Sequence, residues 1–396
     1  MEHKYFVEFN EEKLGTLYVD FVNGKEIHSF EFDNSYLANN DKNKFFDPDL
    51  LLIPGRQYLP EGKTVFSFLS DSMPDRWGRK LIGRYLKNKG IDRINNIDYL
   101  IGISDIYRMG SIRIKDIKGN YLSSNNVSVP PWIFLNKLEY ASLKFDDEQD
   151  VNDEEMKMLL SPGSSLGGAR PKANVFDNSG DIWIAKFPSK NDDIDVGAWE
   201  MATRDLMEIC NINVPISKCE KFSKYGSTFL TKRFDRNKEK RIQFFSAMNL
   251  LGAIDGSDDY SYIDLANFIV EHGARVNEDL LELYRRIIFN VIVNNTDDHL
   301  RNHGFLYQDN GYILSPAFDV NISLYSRQHA LKITDTSDIG NIENLKSIAL
   351  YFRVTDEKAD KLIEEIRDKI KSNLVSIANK YHISTKEIEL VKKSLL

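Results

Sequence analysis

Between residues 294 and 319 the chain carries a polar loop followed by a tight hairpin, and this segment restricts the possible folds more than any other. Gly304-Phe305-Leu306-Tyr307 predicts a short strand. Gln308-Asp309-Asn310-Gly311 predicts the turn, with Asn-Gly its strongest signal, and Tyr312-Ile313-Leu314 the return strand. Because the first strand begins at Gly304, residues 297–303 read as loop rather than helix. Pro316-Ala317-Phe318-Asp319 closes the unit, and a hairpin of this length is expected to return Asp319 close to Asn302.

The surrounding chain must supply a scaffold, and it is long enough to do so. Its 396 residues suffice for two or three domains, with ordinary globular proportions of 42% hydrophobic and 28% charged residues. Residues 4–32 alternate apolar and polar side chains and predict an antiparallel meander with Asn23-Gly24 as a turn. Residues 65–90 have helical periodicity, with Phe66, Leu69, Trp77, Leu81, Ile82 and Leu86 on the apolar side. The acidic run Asp146 to Glu155 reads as loop or linker. Strands are predicted at 173–176, 182–187 and 228–232, and helices at 196–210, 243–254, 262–272, 278–294, 342–351, 355–371 and 385–395. A β-rich half followed by an α-rich half is the layout of a bilobal kinase.

Composition narrows the class of partner. A net charge of −8 and a pI near 5.5 argue against independent nucleic-acid binding, which needs a basic face. Two cysteines, Cys210 and Cys219, cannot build a disulfide framework. The N-terminus lacks the basic and apolar regions of a signal peptide, and no apolar run approaches the roughly 18 residues of a membrane span. The expectation is a soluble cytoplasmic protein that binds no membrane.

Asp297 and Asn302 stand five positions apart, the D-x-x-x-x-N spacing of a kinase catalytic loop. In that loop the aspartate accepts the proton of a substrate hydroxyl and the asparagine holds Mg²⁺. With Asp319 as a second oxygen ligand, the set predicts a magnesium–phosphate site. Gly163, Gly167 and Gly168 permit close backbone approach to phosphate, and Lys172 adds a cation. Lys186 ends the apolar strand Ile182–Phe187, where burying an ammonium requires an anion. It is expected on phosphate oxygens, with Glu200 or Glu208 as helical partner. His299 is expected to orient the loop by hydrogen bonding. The plainer alternatives are an Asn/Asp-rich helix cap, an ordinary glycine turn and a snorkelling lysine.

Together these residues resemble the HipA family of bacterial serine/threonine kinases, toxins of HipBA-type toxin–antitoxin systems. Thr296-Asp297-Asp298-His299-Leu300-Arg301-Asn302 is similar to the family's T-D-x-H-x-x-N loop, and Pro316-Ala317-Phe318-Asp319 to its metal-binding aspartate motif. Ser165-Leu166-Gly167-Gly168-Ala169-Arg170-Pro171-Lys172 matches S-x-x-G-[AG]-x-x-K. Lys232-Arg233-Phe234-Asp235-Arg236 matches the E-R-F-D-R hinge, with Lys232 where glutamate is common. Asp71–Arg79 and Met109–Arg113 resemble signatures of the N-terminal domain.

The resemblance implies an α+β, bilobal protein-kinase-like fold with an N-terminal β-rich domain (1–125), a kinase N-lobe-like region with glycine-rich loop and hinge (126–235), and a helical C-lobe (236–396). It implies ATP and Mg²⁺ as cofactors. ATP would sit between residues 163–172 and the hinge, touched by Gly167 to Lys172, Lys186, Lys232, Arg233 and Phe234. The loop residues His299, Leu300, Arg301 and Asn302, with Phe318 and Asp319, complete that set. Asp297 would be catalytic, Asn302 and Asp319 metal ligands, and Ser165 the autophosphorylated residue, with Ser164 in reserve. The implied partners are a protein substrate with a Ser or Thr acceptor and a HipB-like helix-turn-helix antitoxin, through which operator DNA is contacted indirectly. Two other classes compete: a catalytically silent kinase-fold binding module, and a metal-dependent hydrolase built on Asp297, Asp298, His299 and His303.

Overall fold

The computed structural model describes residues 2–38, 47–122, 130–149, 151–160, 168–238, 240–257, 259–308, 311–324 and 326–396. It divides the chain into two compact units. The first is Met1–Lys186 with Arg233–Ile254; the second is Phe187–Lys232 with Asp255–Leu396.

The first unit opens with the expected meander. Strands β1 (His3–Phe9), β2 (Glu12–Val22), β3 (Lys25–Phe32), β4 (Gln57–Tyr58) and β5 (Arg113–Lys115) form an antiparallel sheet in the order β4-β3-β2-β1-β5. Alternation puts Val7, Phe9, Leu17, Val19 and Phe30 into the core. The Phe30 ring packs edge-on against Phe66 and Phe68, at 6.2 and 5.2 Å between centroids.

The helical pattern of 65–90 is two helices, Ser67–Ser70 and Arg76–Asn88. Pro74 lacks the N–H a continuous helix needs, and Asp75 restarts the chain as N-cap by accepting the Gly78 N–H at 2.8 Å. The acidic run contains a helix start. Asp153, Glu154 and Glu155 form the first turn of Asp153–Leu160, where negative charge complements the helix dipole, and Met156 and Leu159 are buried. The expected helix over 243–254 is instead a strand, Phe244–Ser246, followed by one turn, Ala247–Leu250. Phe244 and Phe245 point to opposite sides of an extended segment and are both buried, and Ser246 caps the turn. Strands β6 (Lys172–Phe176) and β7 (Ile182–Lys186) pair antiparallel.

The second unit contains the hairpin of β8 (Ser217–Glu220) and β9 (Thr228–Lys232) and a set of helices. Tyr262–His272 spans the predicted residues and starts at a capping box of Ser261 and Asp264. Val276–Val293 is its longest apolar helix, and Asp356–Lys380 runs further than its predicted end at 371. The hairpin after the polar loop forms as predicted, Gly304–Gln308 pairing with Gly311–Leu314. Asp309 and Asn310 of its turn lie outside the described residues. Gly311 is required by space, since an added Cβ would lie 2.9 Å from the Ala274 nitrogen. Among the described residues no helix is long and apolar enough to cross a membrane.

Candidate active site

The second unit presents the polar loop at the end of a helix that stops on cue. Asn294 caps Val276–Val293 at φ 61°, the left-handed conformation that asparagine tolerates best after glycine. Beyond it Thr296 and Asp297 form a turn, and His299 returns to extended backbone at φ −116°, ψ 170°. Asp297 is exposed, whereas Asp298 is 2% exposed. One turn of 3₁₀ helix, Leu300–Asn302, then leads into the hairpin. Asn302 is buried; its Nδ2 donates to the Asp297 carbonyl at 3.1 Å, and its N–H to His299 O at 2.8 Å.

Asp298 is the hub of the loop. Its Oδ2 accepts the Tyr262 hydroxyl, the Asn290 amide at 2.8 Å and, at 2.9 Å, bonds His303 Nε2. All four residues are buried. Burial pushes the Asp298 carboxyl up, but the His303 ring and the bonds from His303 and Tyr262 outweigh it and hold it below its ordinary value. The same burial, with the Asp298 charge, drives the Tyr262 phenol well above its ordinary value. The orienting role expected of His299 therefore belongs to His303. The His299 Nδ1 is buried without a hydrogen-bond partner. His303 and Asp298 are spent on each other, so the four-residue cluster of the hydrolase alternative does not assemble. Among the described residues no group of three His, Cys, Asp or Glu is placed to hold a metal ion.

The segment of Asp319 is tied to this loop from both sides. Before it, the hairpin brings Ser315 N–H to Gly304 O at 2.8 Å, and Arg286 from the long helix donates to Ser315 O at 2.7 Å. After it, Asn321 N–H reaches Asn295 Oδ1 at 3.4 Å, and Thr296 Oγ donates to Ser323 Oγ at 2.6 Å. Asn294 Nδ2 donates to the carbonyls of Ser323 and Ser326. Asp319 itself sits at φ 58°, a corner that asparagine and aspartate enter more readily than other side chains. The fit to a divalent cation rests on Asn302. Its Nδ2 is engaged, while its Oδ1 is buried with no hydrogen-bond partner, an orphaned oxygen of the kind Mg²⁺ takes.

The first unit carries the remaining predicted residues. Ser164, Ser165 and Gly167 lie outside the described residues. Gly168 is exposed at φ +86°, open to glycine alone without strain. Ala169 is exposed, Arg170 half-buried and Pro171 buried. Lys172 is not an open cation: it is 2% exposed, and its ammonium pairs with the buried Asp75 at 2.8 Å. The Trp77 indole donates to Lys172 O at 3.1 Å. Lys186 is half-buried at the end of β7.

In the hinge motif, Arg233 N–H donates to Ile182 O at 2.9 Å and fixes that segment beside β7. In the second unit Lys232 N–H likewise donates to Ile216 O at 2.8 Å. Both backbone N–H groups are thus taken by strand-like pairing, while Phe234 packs near Phe244 at 6.0 Å between ring centroids. Arg233 is no surface charge. Its guanidinium grips the buried Asp235 through Nε at 2.8 Å and Nη2 at 2.7 Å, and reaches Tyr107 O at 2.8 Å. Asp235 also accepts Gly110 N–H at 2.8 Å, with Gly110 at φ +71°. The two N-terminal signatures thus serve to bind the 233–246 segment: Asp71 accepts Ser246 N–H, and Ser111 donates to Gln243.

The fold defines the class. The structure superimposes on HipA of Shewanella oneidensis MR-1, solved as a complex with HipB and its operator DNA, with a TM-score of 0.68 over 98% of this chain and 94% of that one. At 16% identity the likeness is one of fold, the kinase-like α+β fold of HipA. Residues 164–374, more than half of the chain, match the HipA-like C-terminal domain, and the chain belongs to that family. A Haemophilus influenzae protein named "Putative kinase" is 29% identical over 239 residues, 54% of this chain and 68% of its own length. "Putative kinase Y4dM" of Sinorhizobium fredii is 26% identical over 204 residues, 44% of this chain and 48% of its own length.

Proposed function

We propose that this protein is an ATP- and Mg²⁺-dependent serine/threonine kinase. One observation supports the reading above the others: the exposed Asp297 stands five residues before Asn302, whose buried Oδ1 lacks a partner. Asp297 accepts the proton of a Ser or Thr hydroxyl as that oxygen attacks the terminal phosphorus, and the bridging bond to ADP breaks. Asn302 and Asp319 would hold Mg²⁺, which supplies positive charge to the phosphate oxygens. Lys186 neutralises phosphate charge from its strand end. The loop's buried anchors keep Asp297 in place, so the chain contributes chiefly positioning.

The proposal extends to regulation and partners. Phosphorylation at Ser165 adds about −1.5 to −2 charges beside the nucleotide's own phosphates and lowers ATP affinity. The Shewanella relative is bound to HipB and operator DNA; a HipB-like antitoxin is proposed here too, with DNA contacted through it. The deciding experiment is incubation with γ-labelled ATP and Mg²⁺, then mass spectrometry of this protein and of added acceptor proteins. Label on Ser165 and on an acceptor hydroxyl is the expected result. ATP binding without any transfer would make the protein a silent binding module.

A further inference from the structure

We propose that Asp298 is a positioning residue: its buried carboxylate gathers Tyr262, Asn290 and His303 and so fixes where the adjacent Asp297 presents its own. The three partners lie 36, 8 and 5 residues from Asp298 in the sequence. Tyr262 opens one helix, Asn290 lies one turn before the end of the next, and His303 leads into the hairpin. One oxygen thereby joins the three elements that frame the loop. Asp297 follows from this by covalent geometry. One peptide bond separates the two, so anchoring Asp298 inward fixes the backbone of the turn at residues 296–297 from which the exposed Asp297 side chain projects. A second tie, Asn302 Nδ2 to Asp297 O, closes the loop from its far end. Asp298 is buried and does not reach solvent, so it acts through Asp297.

Replacing the carboxylate separates positioning from mere packing. Asp298→Ala strands three buried donors. Asp298→Asn can place its single carbonyl oxygen where Oδ2 sits and keep the three bonds without the charge. The kinetic arm rests on the kinase reading. A misplaced base lowers kcat by about 100-fold in Asp298→Ala, with KM for Mg-ATP changed less than about threefold, and Asp298→Asn recovers at least about tenfold of that loss. The second arm needs no activity: amide hydrogen exchange over 296–303 accelerates in Asp298→Ala and less in Asp298→Asn, while the rest of the second unit exchanges as in the wild type. If Asp298→Ala does not fold, Asp298→Asn and Tyr262→Phe carry the test, each expected to speed loop exchange and lower kcat. A folded Asp298→Ala with kcat within about twofold of wild type, or with unchanged loop exchange, overturns the proposal, as does unchanged loop exchange in Tyr262→Phe where Asp298→Ala does not fold. If the wild type transfers no phosphate, the kinase reading fails and loop exchange alone decides the role of Asp298.

Discussion

Asp297 and Asp298 are joined by one peptide bond and face opposite surroundings, the first exposed and the second enclosed by Tyr262, Asn290 and His303. Two identical side chains therefore have different chemistry. Asp297 is accessible to a substrate; Asp298 is consumed by the scaffold.

This contrast makes Asp297→Asn a clean test. The change removes a base but little volume, and exposed substitutions usually move stability by no more than about 0.5 kcal/mol. Phosphoryl transfer should fall by at least about 100-fold, the usual worth of a general base. Labelled-ATP kinetics and a thermal melt measure both quantities. Transfer at the wild-type rate would remove Asp297 from the mechanism.

Asp319 bears on the cation. Asp319→Ala deletes a charged oxygen from the corner that Asn321 and the hairpin hold in place. Calorimetric titration with ATP, with and without Mg²⁺, should show the magnesium effect vanish in the variant. Asn302→Ala should weaken it as well, because it removes the orphaned Oδ1. A magnesium effect equal to wild type in both variants would sink the ligand assignment.

Asp235 bears on stability instead. Its carboxylate is fully buried and accepts bonds from Arg233, Arg236 at 2.6 Å and Gly110. Burial pushes it up, but the two guanidinium groups outweigh that and hold it far below its ordinary value. Asp235→Asn leaves those cations uncompensated, and breaking a buried pair in this way costs about 3–5 kcal/mol. Urea denaturation should show the loss as a lower midpoint. A cost below about 1 kcal/mol would mean that the network relaxes around the change.

What could be read in advance was local. The D-x-x-x-x-N spacing and the hairpin after it lie within a few residues of one another, and Tyr262–His272 carries its own capping box. The Asp298 hub was out of reach because Tyr262 is 36 residues away and no periodicity joins the two. Lys172 misled for the same reason. Its cation is closed off by Asp75, 97 residues earlier, a separation that no local pattern spans. By charge alone the acidic start of Asp153–Leu160 reads as linker, yet its Met156 and Leu159 are buried.

Asp47 sets a pH dependence for the first unit. It is buried, with Oδ1 accepting Asp49 N–H and Oδ2 accepting Phe68 N–H, each at 2.7 Å. Burial and the adjacent Asp49 carboxylate push its carboxyl up to about 7, against those backbone bonds and the Lys63 charge. In the unfolded chain it titrates near its ordinary value of about 4. Between these limits the folded protein holds a proton that the unfolded chain has lost. The stability linked to Asp47 is therefore fully present below about pH 4 and is lost as pH rises towards about 7, by up to about 1.4 kcal/mol per pH unit. Asp47→Asn cannot titrate and keeps one acceptor oxygen, so it begins weaker at low pH and lacks this slope. Urea unfolding at pH 5, 6, 7 and 8 should show the gap between the two proteins closing in favour of the variant up to about pH 7 and constant above it. Parallel stability curves across that range would mean that Asp47 is ionised in the folded state throughout.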